Sequence, residues 1–267
     1  MDMMRGRADV ALAGGGSARE LIMLRAVFFA AAMASLLAAG TALAQPSSPP
    51  ASQPGSGPAR PAPSLPYITI DRAHHWVDIQ AKVCVRDAEW LELLMCTPNT
   101  HEYESLLVTK AKPSQVQLAL LILGLKPGSP MKIQWHGQKS TAIAATGPRV
   151  NVSLIYQKNG QTIEVPATTW LRDQKTKKPA APESWIFAGS LFINPNGQRI
   201  FSADSSGALI SLVNFGDDVL VLPTDLPNYN GQFPWAPNTP QVPPVGTPVT
   251  VRLSPAPAPA TQPAPEK

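Results

Sequence analysis

A chain of 267 residues with a net charge of +4, only 15% charged residues and 30 prolines is weakly and diffusely basic. That excludes an electrostatic footprint for nucleic acid or for an anionic membrane surface. Two cysteines in the whole chain exclude a cubane iron–sulfur cluster held on four thiolates of its own.

The chain opens with a leader. Met23-Leu-Arg25 supplies a positive start, residues 26–39 an apolar stretch, and Thr41-Ala-Leu-Ala44 an Ala-x-Ala cleavage site. The apolar stretch falls short of the roughly 20 residues a membrane span needs. Residues 1–22 precede the positive start, which points to Met23 as the true beginning. Cleavage after Ala44 removes four arginines and three acids and leaves a mature chain of charge +3 beginning at Gln45. The expected location is exported, periplasmic or extracellular, with no integral membrane span after cleavage. Residues 45–65 are rich in Pro, Ser, Ala and Gly and read as a linker that cannot bury enough apolar surface to order itself. Residues 66–254 form one domain, and 255–267 a Pro/Ala tail.

Within the domain, Tyr67–Asp71 and His75–Val85 alternate apolar and polar residues, the pattern of half-buried strands. Trp90–Cys96 and Glu104–Thr109 continue it less cleanly. The period changes at Pro113–Leu123, where Val116, Ala119, Leu120 and Leu123 share a helical face. Pro113 suits the first turn and Gly124 the position past the end. Arg149–Tyr156, Lys158-Asn-Gly160 and Gln161–Val165 spell a hairpin, since Asn-Gly supplies the positive φ of a two-residue turn. Trp185–Ile193, Arg199–Ala203, Ala208–Val213 and Thr247–Leu253 add further strands. The expected class is α+β: β-dominated, mostly antiparallel, with one principal helix near 113–123.

Cys84 and Cys96 lie in strand-like segments joined by a turn near Arg86-Asp87-Ala88. A hairpin over 77–96 would bring them close to register, so a disulfide is expected, worth roughly 2–3 kcal/mol.

Several motifs together resemble the YdjY-type domain of exported bacterial proteins. They are Cys84, Cys96-Thr-Pro-Asn-Thr100, Glu102-Tyr-Glu-Ser105, Leu123-Gly-Leu-Lys-Pro-Gly128, Gly189-Ser-Leu-Phe-Ile-Asn-Pro-Asn-Gly197, Gly207-Ala-Leu-Ile-Ser-Leu-Val-Asn-Phe215 and Pro243-Pro-Val-Gly-Thr-Pro-Val249. The resemblance covers Tyr67 to Leu253 and implies a domain and an export route, not a reaction. The family pattern often reads Lys-Glu-His-Glu-Ser where this chain has His101-Glu-Tyr-Glu-Ser105, so its histidine is replaced by Tyr103.

The candidate binding cluster is His101, Glu102, Tyr103, Glu104 and Ser105. On a strand, His101, Tyr103 and Ser105 would share one face and Glu102 and Glu104 the other. A Ser105–His101 nucleophile pair is disfavoured, because four strand residues span on the order of 13 Å. A metal site would add His74, His75 or His136 to the two glutamates, yet no ligand motif with regular spacing exists. The expectation is therefore no catalytic residue, no metal and no cofactor. The leading reading is a non-enzymatic module that binds an envelope protein, polymer or small ligand, and not nucleic acid. The alternative is a metal-assisted enzyme using Glu102 and Glu104.

Overall fold

The computed structural model describes residues 65–137 and 139–257. The leader read at 1–44, residues 45–64 of the linker and residues 258–267 of the tail lie outside the described residues.

Strand alternation sets the first hairpin. β1 (Ile68–Asp71) and β2 (Trp76–Val83) pair antiparallel, from Ile68↔Ile79 to Asp71↔Trp76. Val77, Ile79 and Val83 are buried, whereas Gln80 and Lys82 are exposed. β3 (Leu93–Cys96) and β4 (Ser105–Val108) are buried along their whole length and run parallel to each other. They are joined by a loop that ends in a 3-10 turn at Glu102–Glu104. α1 (Pro113–Ile122) begins with Pro113 in its first turn and buries Pro113, Val116, Ala119 and Leu120. Its chain exit passes through Gly124 at φ 87°, a conformation that costs glycine nothing.

β5 (Lys132–His136) and β6 (Lys139–Ile143) form a separate, largely exposed hairpin. β7 (Arg149–Lys158) and β8 (Gln161–Pro166) are the hairpin spelled by Asn-Gly, with Asn159 at φ 53° and Gly160 at φ 77°. The remaining elements are β9 (Leu171–Asp173), β10 (Trp185–Phe187), β11 (Phe192–Ile193), β12 (Ile200–Phe201), α2 (Ser202–Ser206), β13 (Ala208–Ser211), β14 (Leu220–Val221), β15 (Trp235–Pro237) and β16 (Pro248–Pro255).

The main sheet closes on itself. Its order runs β2-β16-β7-β10-β14-β13-β3-β4, and Lys82↔Val108 and Val83↔Leu107 return β4 to β2. Eight strands enclose a space that side chains can fill. Closure also leaves those strands few unpaired edges. All seams are antiparallel except β13–β14 and β3–β4. The domain is thus the expected mostly antiparallel α+β fold with one principal helix. A large apolar cluster, including Ile79, Leu107, Leu154, Trp185 and Val251, makes most of the core among the described residues, with two small satellites around Leu93 and Ala188. Leu107 sits on the closing seam between Val83 and Met95 and is fully buried. Leu107→Ala is expected to cost about 2–5 kcal/mol in urea unfolding, as other buried leucine truncations do. No helix among the described residues is long and apolar enough to cross a membrane.

The expected Cys84–Cys96 disulfide is absent. β4 lies between β2 and β3, so the strands next to Cys84 and Cys96 are not neighbours as a hairpin over 77–96 required. The two cysteines are not close enough to bridge, and both are free thiols. Cys84 instead donates its S–H to the Ser105 carbonyl at 2.9 Å. The physical reason is the parallel crossover through residues 97–104, which inserts β4 into the seam that sequence proximity had assigned to β3.

Candidate functional site

The segment between β3 and β4 is shaped by its own side chains. Asn99 takes a left-handed φ of 63°, which asparagine tolerates better than most residues. The Glu102 carboxylate accepts the Asn99 N–H at 2.7 Å and the Thr100 N–H at 2.9 Å. Thr100 Oγ1 donates to the Thr97 carbonyl at 2.6 Å. Burial pushes the Glu102 carboxyl up, but the Asn99, Glu102 and Thr100 N–H donors prevail and hold it below the ordinary glutamate value. Gly207, at φ 79°, lies against this turn, and a Cβ there would run into Thr100.

The next residues turn as a 3-10 helix, not as a strand. Residues three apart then stack over one another. His101 Nδ1 consequently lies 2.6 Å from Glu104 Oε1. Tyr103 points out at 73% exposure. Ser105 is fully buried, and its hydroxyl donates to the Leu107 carbonyl at 2.9 Å. The strand alternation that grouped His101, Tyr103 and Ser105 on one face does not apply. Glu102 and Glu104 also have separate partners, one holding the turn and the other the imidazole. His74 is occupied with Asp71 at 2.8 Å, in the turn between β1 and β2. Among the described residues, no group of three or more His, Cys, Asp or Glu side chains could hold a metal ion.

The structure adds a residue that the cluster lacked. The Glu92 N–H donates to the Glu104 carbonyl at 3.0 Å, and both residues are buried. Burial, then the charge of Glu104 and a hydrogen bond to it, push the Glu92 carboxyl up to about 7. The same Glu104 charge, with burial and Glu92, raises the Tyr103 hydroxyl. The His101 ring meets Phe215 edge-on at 5.2 Å. Phe215 is held in turn by Asp218, a fully buried carboxylate that accepts the Phe215 N–H at 3.0 Å and the Gly216 N–H at 3.1 Å. This side of the segment is therefore a hydrogen-bonded acid–imidazole cluster, with its two glutamates buried and His101 partly exposed at its edge.

The other side opens onto a groove of about 460 Å³. Tyr67, Gln80, Lys82, Val108 and Lys110 line it together with Glu102. Pro98, Gly246 and Pro248 border it. It exists because β2 leaves β1 and joins β4 at Lys82↔Val108, while the loop carrying Glu102 lies beside that seam. Tyr67 sits on its wall at φ 66°, a left-handed conformation that is costly for a bulky residue. A second cavity, of about 200 Å³, lies among Leu171, Leu222, Pro234 and Trp235.

The sequence matches the YdjY domain family over residues 68–254, from the first residue of β1 to the penultimate residue of β16. The chain belongs to the YdjY domain family. Comparison with curated proteins and with solved structures returns no match. In this YdjY domain the match spans the closed barrel, α1 and the Glu102 turn together.

Of the five residues singled out in the sequence, only Glu102 faces the YdjY groove; His101 and Glu104 face each other, Tyr103 faces solvent and Ser105 the interior. Glu92 was missed, although Trp90-Leu-Glu-Leu-Leu94 carries a signal: an acid between leucines in a buried run needs a partner. Lys82, Lys110 and Tyr67 were also missed. They come from three separate segments, and only strand pairing joins them.

Proposed function

We propose that this YdjY protein is an exported, non-enzymatic binding module of the cell envelope. The leader pattern and the Pro-rich segments flanking the domain support export and tethering. The observation that carries the binding reading is the groove beside Glu102. Its volume falls within the range of small-molecule sites, and it combines apolar walls with a few placed polar groups. Its edges are also pinned: Glu102 is locked by two backbone donors, and Thr109 Oγ1 donates to the Gln80 carbonyl at 2.7 Å. A pinned groove binds with little ordering cost.

Gln80 is exposed on β2 and lines the groove, so Gln80→Trp should fill it without disturbing the core. The mature chain is incubated with fractionated envelope extract and its melting temperature followed. The expected result is a saturable rise in Tm with one fraction that Gln80→Trp abolishes while keeping the unliganded Tm. An equal rise in Gln80→Trp, or steady turnover of the stabilising compound, would overturn the proposal.

A further inference from the structure

The groove has a charge asymmetry that narrows its ligand. Lys82 and Lys110 are both exposed and both line it. Lys82 stands opposite Val108 across the β2–β4 seam, and Lys110 follows Val108 by two residues. Lys110 lies just past the end of β4, where the chain bends away from that seam. Both lysines thus lie beside Val108, and Ala81, Val108, Pro98 and Pro248 give the same groove an apolar part of its lining.

Neither lysine forms an ion pair among the described residues. The groove's one acid, Glu102, holds the Asn99 and Thr100 N–H groups and pairs with neither lysine, so two lysines face one carboxylate and the lining is net positive. Two like charges with no ion-pair partner, in a lining of net positive charge, favour an anion beside them. The apolar part of the lining favours a hydrocarbon body beside that anion. Tyr67, 42% exposed and strained at φ 66°, presents a ring to the same space.

We infer that the groove takes a small amphipathic anion, an apolar chain with one carboxylate or phosphate head held between Lys82 and Lys110. This rests on the groove being the binding site. The test uses the mature chain with the fluorescent anion 8-anilinonaphthalene-1-sulfonate as probe. Dodecanoate, dodecyl phosphate and dodecyltrimethylammonium are the competitors, each below its micelle concentration. Both anions should displace the probe roughly tenfold better than the cation. The tighter of the two identifies the head group. Lys82→Gln with Lys110→Gln should weaken the anions by about tenfold and leave the cation within about twofold, with Tm unchanged. Equal displacement by the cation, or anion binding unchanged in the double variant, would overturn the inference. If Gln80→Trp blocks all three competitors without regard to charge, the groove stands and the anion preference falls. If Gln80→Trp blocks none, both fall.

Discussion

Gly147→Ala should be among the most damaging single changes in this domain, costing about 4 kcal/mol and lowering Tm by roughly 10 °C. Gly147 lies at φ 147°, which an L side chain rarely adopts. A Cβ there would also strike the backbone carbonyl of Phe187, a rigid obstacle in β10. That same carbonyl accepts the Gly128 N–H at 3.1 Å, and Phe187 donates its own N–H to Pro148 at 2.9 Å. Gly128 faces a matching limit, because its Cβ would meet the Thr146 carbonyl. The two glycines let the base of the β5–β6 hairpin pass over the barrel at backbone contact, so relief requires moving β10. Gly160→Ala is the control: it has a positive φ of 77° but open space around it, and should lose only the conformational part, about 1 kcal/mol. Urea titration of both variants decides the matter. Equal losses would show that the close approach is not what Gly147 provides.

Glu92→Gln should change how stability depends on pH. The Glu92 carboxyl in the fold is pushed to about 7 from an ordinary 4.5. The folded state then holds this proton more tightly than the unfolded chain does. Its contribution is therefore complete below about pH 4.5 and is lost as pH rises through 7. A difference of this size corresponds to roughly 3 kcal/mol. Glutamine copies the protonated acid in shape and keeps a donor for Glu104. The variant should match the parent near pH 4 and exceed it by about 2–3 kcal/mol at pH 8. Glu104, His101 and Tyr103 face the same cluster and stay in place, so the comparison isolates Glu92. Asp218, also raised to about 7 by burial, leaves a residual dependence of the same sign in both proteins. Parallel stability curves for the two proteins would show that Glu92 is not held in its neutral form.

Local rules carried much of the fold. The 3.6 period of Pro113–Leu123, with Pro113 at one end and Gly124 at the other, emerged as α1. Asn159-Gly160 made the β7–β8 turn, and alternation in 149–156 became the buried row Val150, Val152, Leu154 and Tyr156. Each of these depends on interactions within a few residues, so the sequence contains its cause. Where a local rule failed, a short-range competitor had won. Glu102 draws the Asn99 and Thr100 N–H groups to itself, and that capping favours a 3-10 turn at 102–104 over the strand alternation read across 101–105, while the strand expected at 104–109 forms as β4.

Who stands next to whom was another matter. The sequence alone determined the α+β class, the helix, the hairpin and the presence of a polar cluster at 101–105. Tertiary structure alone decided that β4 enters between β2 and β3, which leaves Cys84 and Cys96 too far apart to bridge. It alone brought Glu92 to Glu104, and Lys82 to Lys110 beside Tyr67. The reason is that strand order follows from how the whole set of apolar faces closes into a barrel. No single segment carries that information, because each strand's pattern records which face is buried and not which neighbour buries it.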